Sequence, residues 1–277
     1  MLTVLVSGKA APGVTTSAWA LALTWPGPVL VADCDPAGGD MAAGYLPGRV
    51  SADRGLLSWA TAARRGVPAM AAATMFSGHA VGVPENPNVW LMAGFATATQ
   101  GASFTPDAWE RLALALERSA ASVGRDALVD AGRLVGERAC WPVLRAADQV
   151  LLTVRPSVRS VHAAQGAAMR LRTELGDLAK VSALVVGDGP YSAAEVAEAL
   201  SVPICGTLPQ DSAAARVLSD GASLGPKALE RSALLKAAAT VTTRLTTGMS
   251  AATSIARPDS AWADTAPSEQ AQPGIAR

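Results

Sequence analysis

The chain has 277 residues, half of them hydrophobic and only 17% charged, which excludes a largely disordered protein and allows a sizeable core. Lys plus Arg and Asp plus Glu both number 23, so no net charge draws the whole chain to nucleic acid or an anionic membrane. Cys34, Cys140 and Cys205 are odd in number, far apart and without a CxxC pair, which argues against a disulfide framework or structural zinc and suits a reducing cytosol.

In chain order, residues 2–6 form a short apolar strand that ends at Ser7 and Gly8. A loop of Gly, Ala and Pro follows, and a helix starts near Thr15 and stops before Pro26. Residues 29–32 are a second buried strand, running into Asp33, Cys34, Asp35 and Pro36. Strand, loop, helix, strand is a βαβ opening and implies parallel pairing. An apolar strand before Lys9, and glycine and proline after it, is the wrong order for a secretory leader.

The middle is Ala-rich and less legible. Residues 56–64 read as a helix and 89–92 as a strand. Thr105 as N-cap, Pro106 at the first helical position and Asp107 in the first turn open a helix with Trp109, Leu112 and Leu116 on its apolar face. Residues 127–130 form a strand ending in Asp130. Then come a strand at 150–154, a helix over 157–175 and a strand at 181–186. Ser192 and Glu195 make a capping box for the next helix. A last strand covers 202–208, and helices cover 213–220 and 227–246.

Leu229, Leu234, Leu235, Val241 and Leu245 form an apolar face on the final helix. With no bulky aromatic anchor, packing on the domain is preferred to peripheral membrane contact. Residues 1–248 read as one domain and 249–277 as a flexible polar tail.

Residues 8–16, GKAAPGVTT, carry the GxxxxGx[ST] frame of a phosphate-binding loop between a strand and a helix. Glycines let backbone N–H groups surround an anion, and the helix N-terminus adds its dipole. Thr15 is placed to ligate Mg²⁺ and Thr16 to donate to a phosphate. The lysine expected before Thr15 is replaced by Val14, which can neither donate nor carry charge. A plain Gly/Pro turn is the competing reading. Asp33, Asp35 and Asp130 end predicted parallel strands, where open α/β sheets bind ligands. Each also has a turn-capping explanation, an Asx-turn in the case of Asp35. His79 and His162 are isolated.

Lys9 follows the first glycine, and residues 9–16 resemble the deviant Walker A loop, KGGxGKTT, of the MinD/ParA family. Four further segments resemble that family in order: VLVADCDPAGG at 29–39, ALVD at 127–130, VLLTVRP at 150–156 and ICGTLPQD at 204–211. The resemblance covers roughly residues 1–248. It implies a three-layer P-loop NTPase fold, with a mostly parallel central sheet flanked by helices, binding ATP and Mg²⁺. It further implies that Gly8, Lys9, Ala10, Ala11, Pro12, Gly13, Val14, Thr15 and Thr16 cradle phosphates. Lys9 would reach a phosphate, often across a dimer interface, and Asp35 would orient the attacking water. Thr15, Asp33 and Asp130 would serve the metal, and Asp188, Pro209 and Asp211 the base. Asp188, where the family places Asn, leaves adenine and guanine both open. Ala10 and Ala11 replace loop glycines and stiffen the loop.

The implied function is a cytoplasmic, nucleotide-dependent homodimeric switch. It would act with a protein partner to position or assemble a cellular machine: chromosome or plasmid partition, the division site, or a pilus or secretion apparatus. Without the P-loop lysine, hydrolysis is expected to be weak or slow, and the alternative is a catalytically inactive scaffold. A metabolic ATPase lacks support from any Cys/His cluster, and direct nucleic-acid binding lacks a basic stripe.

Overall fold

A computed structural model describes residues 1–9, 13–51, 53–134, 139–176 and 180–255. Its strands are β1 Leu2–Ser7, β2 Val29–Asp33, β3 Val81–Val83, β4 Asn86–Met92, β5 Asp126–Arg133, β6 Gln149–Val154, β7 Val181–Val186 and β8 Ile204–Leu208. The helices through the middle of the chain are α1 Val14–Leu23, α2 Met41–Tyr45, α3 Leu56–Ala62, α4 Ala69–Thr74, α5 Phe76–His79, α6 Ala98–Ser103 and α7 Pro106–Arg118. The later ones are α8 Trp141–Ala146, α9 Val158–Leu175, α10 Ala193–Leu200, α11 Ser212–Asp220, α12 Pro226–Glu230 and α13 Ala233–Ile255.

The strands form one sheet in the order β3-β4-β2-β5-β1-β6-β7-β8. Every pairing is parallel except β3 with β4, a hairpin at one edge. The expected βαβ opening is therefore parallel, but β1 and β2 are not neighbours, because β5 lies between them and pairs with both. The central strands are continuous apolar runs because both faces are covered. Leu2, Val4 and Val6 of β1 pack into one apolar layer with α3, α7, α8 and α9. Leu5 packs into the other layer with α1, α11 and α13. Three layers result, as the resemblance implied.

The sequence signals for helix starts are met. Thr105 Oγ1 accepts the Ala108 N–H at 3.2 Å, and Ser192 and Glu195 form the reciprocal capping box. The helix predicted over 227–246 is split into α12 and α13. Ser232 Oγ accepts the Leu235 N–H, and the Asp211 carboxylate accepts that of Leu234, so a new helix starts there. The apolar face of α13 lies in the core: Leu234, Leu235, Val241 and Leu245 are all buried. α13 continues to Ile255, past the point where the sequence loses its period. Residues 256–277, most of the predicted tail, lie outside the described residues. Among the described residues no helix is long and apolar enough to cross a membrane.

Candidate functional site

The chain leaves β1 and reaches β2 beyond β5, whereas β6, β7 and β8 lie on the opposite side of β1. The carboxyl end of β1 is thus a point where the winding reverses, and a crevice opens there. It has a volume of about 400 Å³ and is lined by Gly13 to Thr16, by Asp35 and Asp40, and by Gly132 and Arg133. Sequence-distant segments meet at one opening because three parallel strands end beside one another.

The two loop glycines have different reasons to be glycine. A Cβ on Gly8 would lie 2.4 Å from the Ala163 carbonyl oxygen, so α9 packs directly on the loop's root. Gly13 has φ +90°, a left-handed conformation that starts α1. Its carbonyl accepts the Ser17 N–H at 2.8 Å. The N–H groups of Val14, Thr15 and Thr16 precede that bond and have no acceptor within the helix, so they face the crevice at the positive end of a ten-residue helix. Ala10, Ala11 and Pro12 lie outside the described residues. Val14 is 6% exposed and joins the apolar layer around Leu5 and Ala18, so the residue at the lysine position is a core side chain.

The three carboxylates occupy three environments. Asp35 lines the crevice. Its Oδ1 accepts the Ala37 N–H at 2.8 Å, so it makes the Asx-turn and faces the opening at once. Burial raises its pKa, while the Arg133 charge lowers it. A Cβ on Gly132 would fall 2.2 Å from the Asp35 carboxyl, and Gly132 has φ +61°. Asp130 is buried beneath the crevice and accepts the Gly132 N–H at 2.9 Å. Burial pushes its pKa up to about 6, while the Thr15 side chain and the Gly132 N–H lower it.

Asp33, also buried, turns away from the opening. Its Oδ2 accepts the Met41 N–H at 3.2 Å, and its carboxyl is walled in by Gly39 and Gly94, where a Cβ would come within 2.2 Å and 2.9 Å. Among the described residues its Oδ1 has no hydrogen-bond partner, and burial, then the Asp130 charge, raise its pKa well above the ordinary value.

The remaining expected site residues are dispersed. Lys9 is exposed and lines a separate cleft of about 480 Å³ against α9, with Arg159, His162 and Arg170. Asp211 caps α11 through the Ala214 N–H at 3.1 Å and supports the start of α13. Asp188 is exposed beyond β7, and neither it nor Pro209 lines the crevice.

Among solved structures, the chain is similar to MinD cell division protein from Aquifex aeolicus, with TM-score 0.65 and 20% identity over 89% of this chain and 97% of that one. It is similar to a ParA family ATPase from Chlorobium tepidum, with TM-score 0.68 and 19% identity over 87% and 98%. The septum site-determining protein MinD from Pyrococcus horikoshii, solved with Mg-ADP, matches with TM-score 0.65 and 14% identity over 88% and 96%. The chain has the MinD/ParA fold. No protein-family model and no curated protein matches it.

Within the MinD/ParA fold, sequence reasoning missed Gly132, Arg133 and Gly94. The first two are the last residues of the Asp130 strand, but no residue-type pattern marks them. Only the strand order places them against the loop and Asp35.

Proposed function

We propose that the chain is a MinD/ParA-type nucleotide-binding switch for ATP with Mg²⁺. It would act in the cytoplasm as a nucleotide-dependent homodimer, with weak or slow hydrolysis. The observation that carries this reading is the convergence on one crevice of the α1 N-terminus, Thr15, Thr16 and Asp35, at the reversal point of a parallel sheet. The likeness to MinD solved with Mg-ADP supports the choice of ligand.

The residues fit a hard cation. Thr15 hydroxyl and Asp130 carboxylate are oxygen donors, close enough for the Thr15 side chain to lower the Asp130 pKa. Mg²⁺ favours one or two protein oxygens, keeping the rest of its shell for phosphate and water. When bound, it supplies charge neutralisation at the phosphates. Asp35, at the opening and raised in pKa, is the group placed to accept a proton from an attacking water. Isothermal titration with ATP, ADP and GTP in Mg²⁺ tests the reading. Heat of binding for ATP is the expected result, and silence at millimolar nucleotide would refute it.

The machine served belongs to the same proposal: chromosome or plasmid partition, the division site, or pilus or secretion assembly. A second reading, a scaffold that no longer turns over, is favoured by Val14, buried in the core where a cation would otherwise start α1. Phosphate release by wild type and Val14→Lys separates the two. A large gain marks a slowed ATPase, and no release in either marks the scaffold.

A further inference from the structure

We propose that Arg133 supplies the cationic phosphate contact that Val14 cannot make; this rests on the nucleotide-site reading. A polyphosphate entering this crevice meets Asp35 and Asp40 on its walls. Mutual repulsion must be offset by a cation of the protein as well as by the metal. Val14 is apolar and buried, and Lys9 lines the other cleft. Among the described residues that line the crevice, Arg133 is the only Lys or Arg.

The backbone holds Arg133 against the phosphate loop. Ser7, the residue before Gly8, is its register partner across β1 and β5, where the ladder shifts. The Leu134 N–H donates to the Ser7 carbonyl at 2.8 Å, and Ser7 Oγ donates to the Gly132 carbonyl at 3.4 Å. Gly132 turns the strand with φ +61° and leaves room for the Asp35 carboxyl, so Arg133 and Asp35 meet at the opening. Arg133 is exposed, and its charge lowers the pKa of Asp35. Among the described residues no hydrogen bond or ion pair occupies its guanidinium, which offers donors for a pair of phosphate oxygens, a geometry its planar fork matches. The cation at the phosphates would then come from the neighbouring strand rather than from the start of α1.

Titration of Mg-ATP into wild type, Arg133→Gln and Arg133→Lys tests this, with adenosine as a phosphate-free probe. Arg133→Gln is expected to weaken Mg-ATP by roughly ten- to a hundredfold, the loss of one charge-assisted bond. Arg133→Lys is expected to fall between Arg133→Gln and wild type, and adenosine binding to change less than twofold throughout. The salt dependence of Mg-ATP affinity should flatten in Arg133→Gln only. Thermal melts of the ligand-free variants report whether each folds. Wild-type binding with unchanged affinity in Arg133→Gln would overturn the inference and leave the nucleotide site standing. No binding by wild type would overturn both. Equal losses for ATP and adenosine would also overturn it, because the arginine would then be structural.

Discussion

Gly132 joins the backbone to the chemistry at the scale of single residues. It needs a left-handed φ, and the Asp35 carboxyl fills the place of its missing side chain. Gly132→Ala is therefore expected to lose about 1–3 kcal/mol of stability. It should also displace Asp35, so that any phosphate release falls further than nucleotide affinity does. Urea denaturation beside a phosphate-release assay checks both parts. Stability equal to wild type would show that the loop relaxes freely.

The buried carboxyls give a second expectation. Asp33 and Asp130 have folded-state pKa values above the ordinary 3.8, Asp130 at about 6 and Asp33 well raised. In the interval between those values the folded state binds more protons than the unfolded chain, so stability falls as pH rises. The loss from Asp130 is complete a little above pH 6, and Asp33 adds to it in the same direction. Urea midpoints should accordingly decline as pH rises from about 4 through about 6. Asp33→Asn cannot ionise and should flatten part of that decline; an unchanged slope would exclude Asp33 as its source. Mg²⁺-dependent nucleotide affinity should run the other way, weakening below about pH 6 as Asp130 takes up a proton.

At the scale of elements, α9 is the support of the loop. Its Ala163 carbonyl sits where a Gly8 side chain would be, so Gly8→Ala must push helix and loop apart. A cost of roughly 1–3 kcal/mol is expected, with weakened nucleotide binding as a second consequence, since the root of the loop moves. Chemical denaturation and titration of the same variant measure the two. Among the described residues a Cβ on Gly13 would meet only Val186 at 3.8 Å, so its φ of +90° is what calls for glycine.

Such differences explain what the sequence makes legible. The central strands and the caps at Thr105 and Ser192 announce themselves through continuous apolar runs and local hydrogen-bonding side chains. β3 and α4 carry no such mark. β3 is a three-residue edge strand containing a glycine, and α4 is mostly alanine, so neither shows a hydrophobic period. The loop frame and Asp35 were readable because their spacing is fixed along the chain. Arg133 was not, because its neighbours in space come from β1 and from the turn after β2. Asp33 could be found but not oriented, since its direction is set by Gly39 and Gly94 across the sheet end. Asp211, which the resemblance assigns to the base, also caps α11, a role its place before the Ser212–Asp220 helix gives it.

At the scale of the molecule, the two ends of the loop line two different clefts. One faces β2 and β5 and holds Thr15, Asp35 and Arg133; the other faces α9 and holds Lys9 beside Arg159 and His162. The chain thus carries one basic group at the crevice and another in the cleft against α9. On the proposed reading the two cations would have different tasks. Arg133 would govern affinity within one chain, whereas Lys9 would reach a phosphate of a second copy only when two protomers meet. Sedimentation velocity with a non-hydrolysable ATP analogue and Mg²⁺ should show dimers for wild type and mainly monomers for Lys9→Ala. In Arg133→Gln the dimer should return once the nucleotide concentration is raised to offset its weaker affinity, because mass action restores occupancy but cannot restore a missing cross-subunit contact. Dimers of Lys9→Ala at wild-type nucleotide concentrations would place the lysine outside the interface and leave the cleft against α9 without a role in assembly.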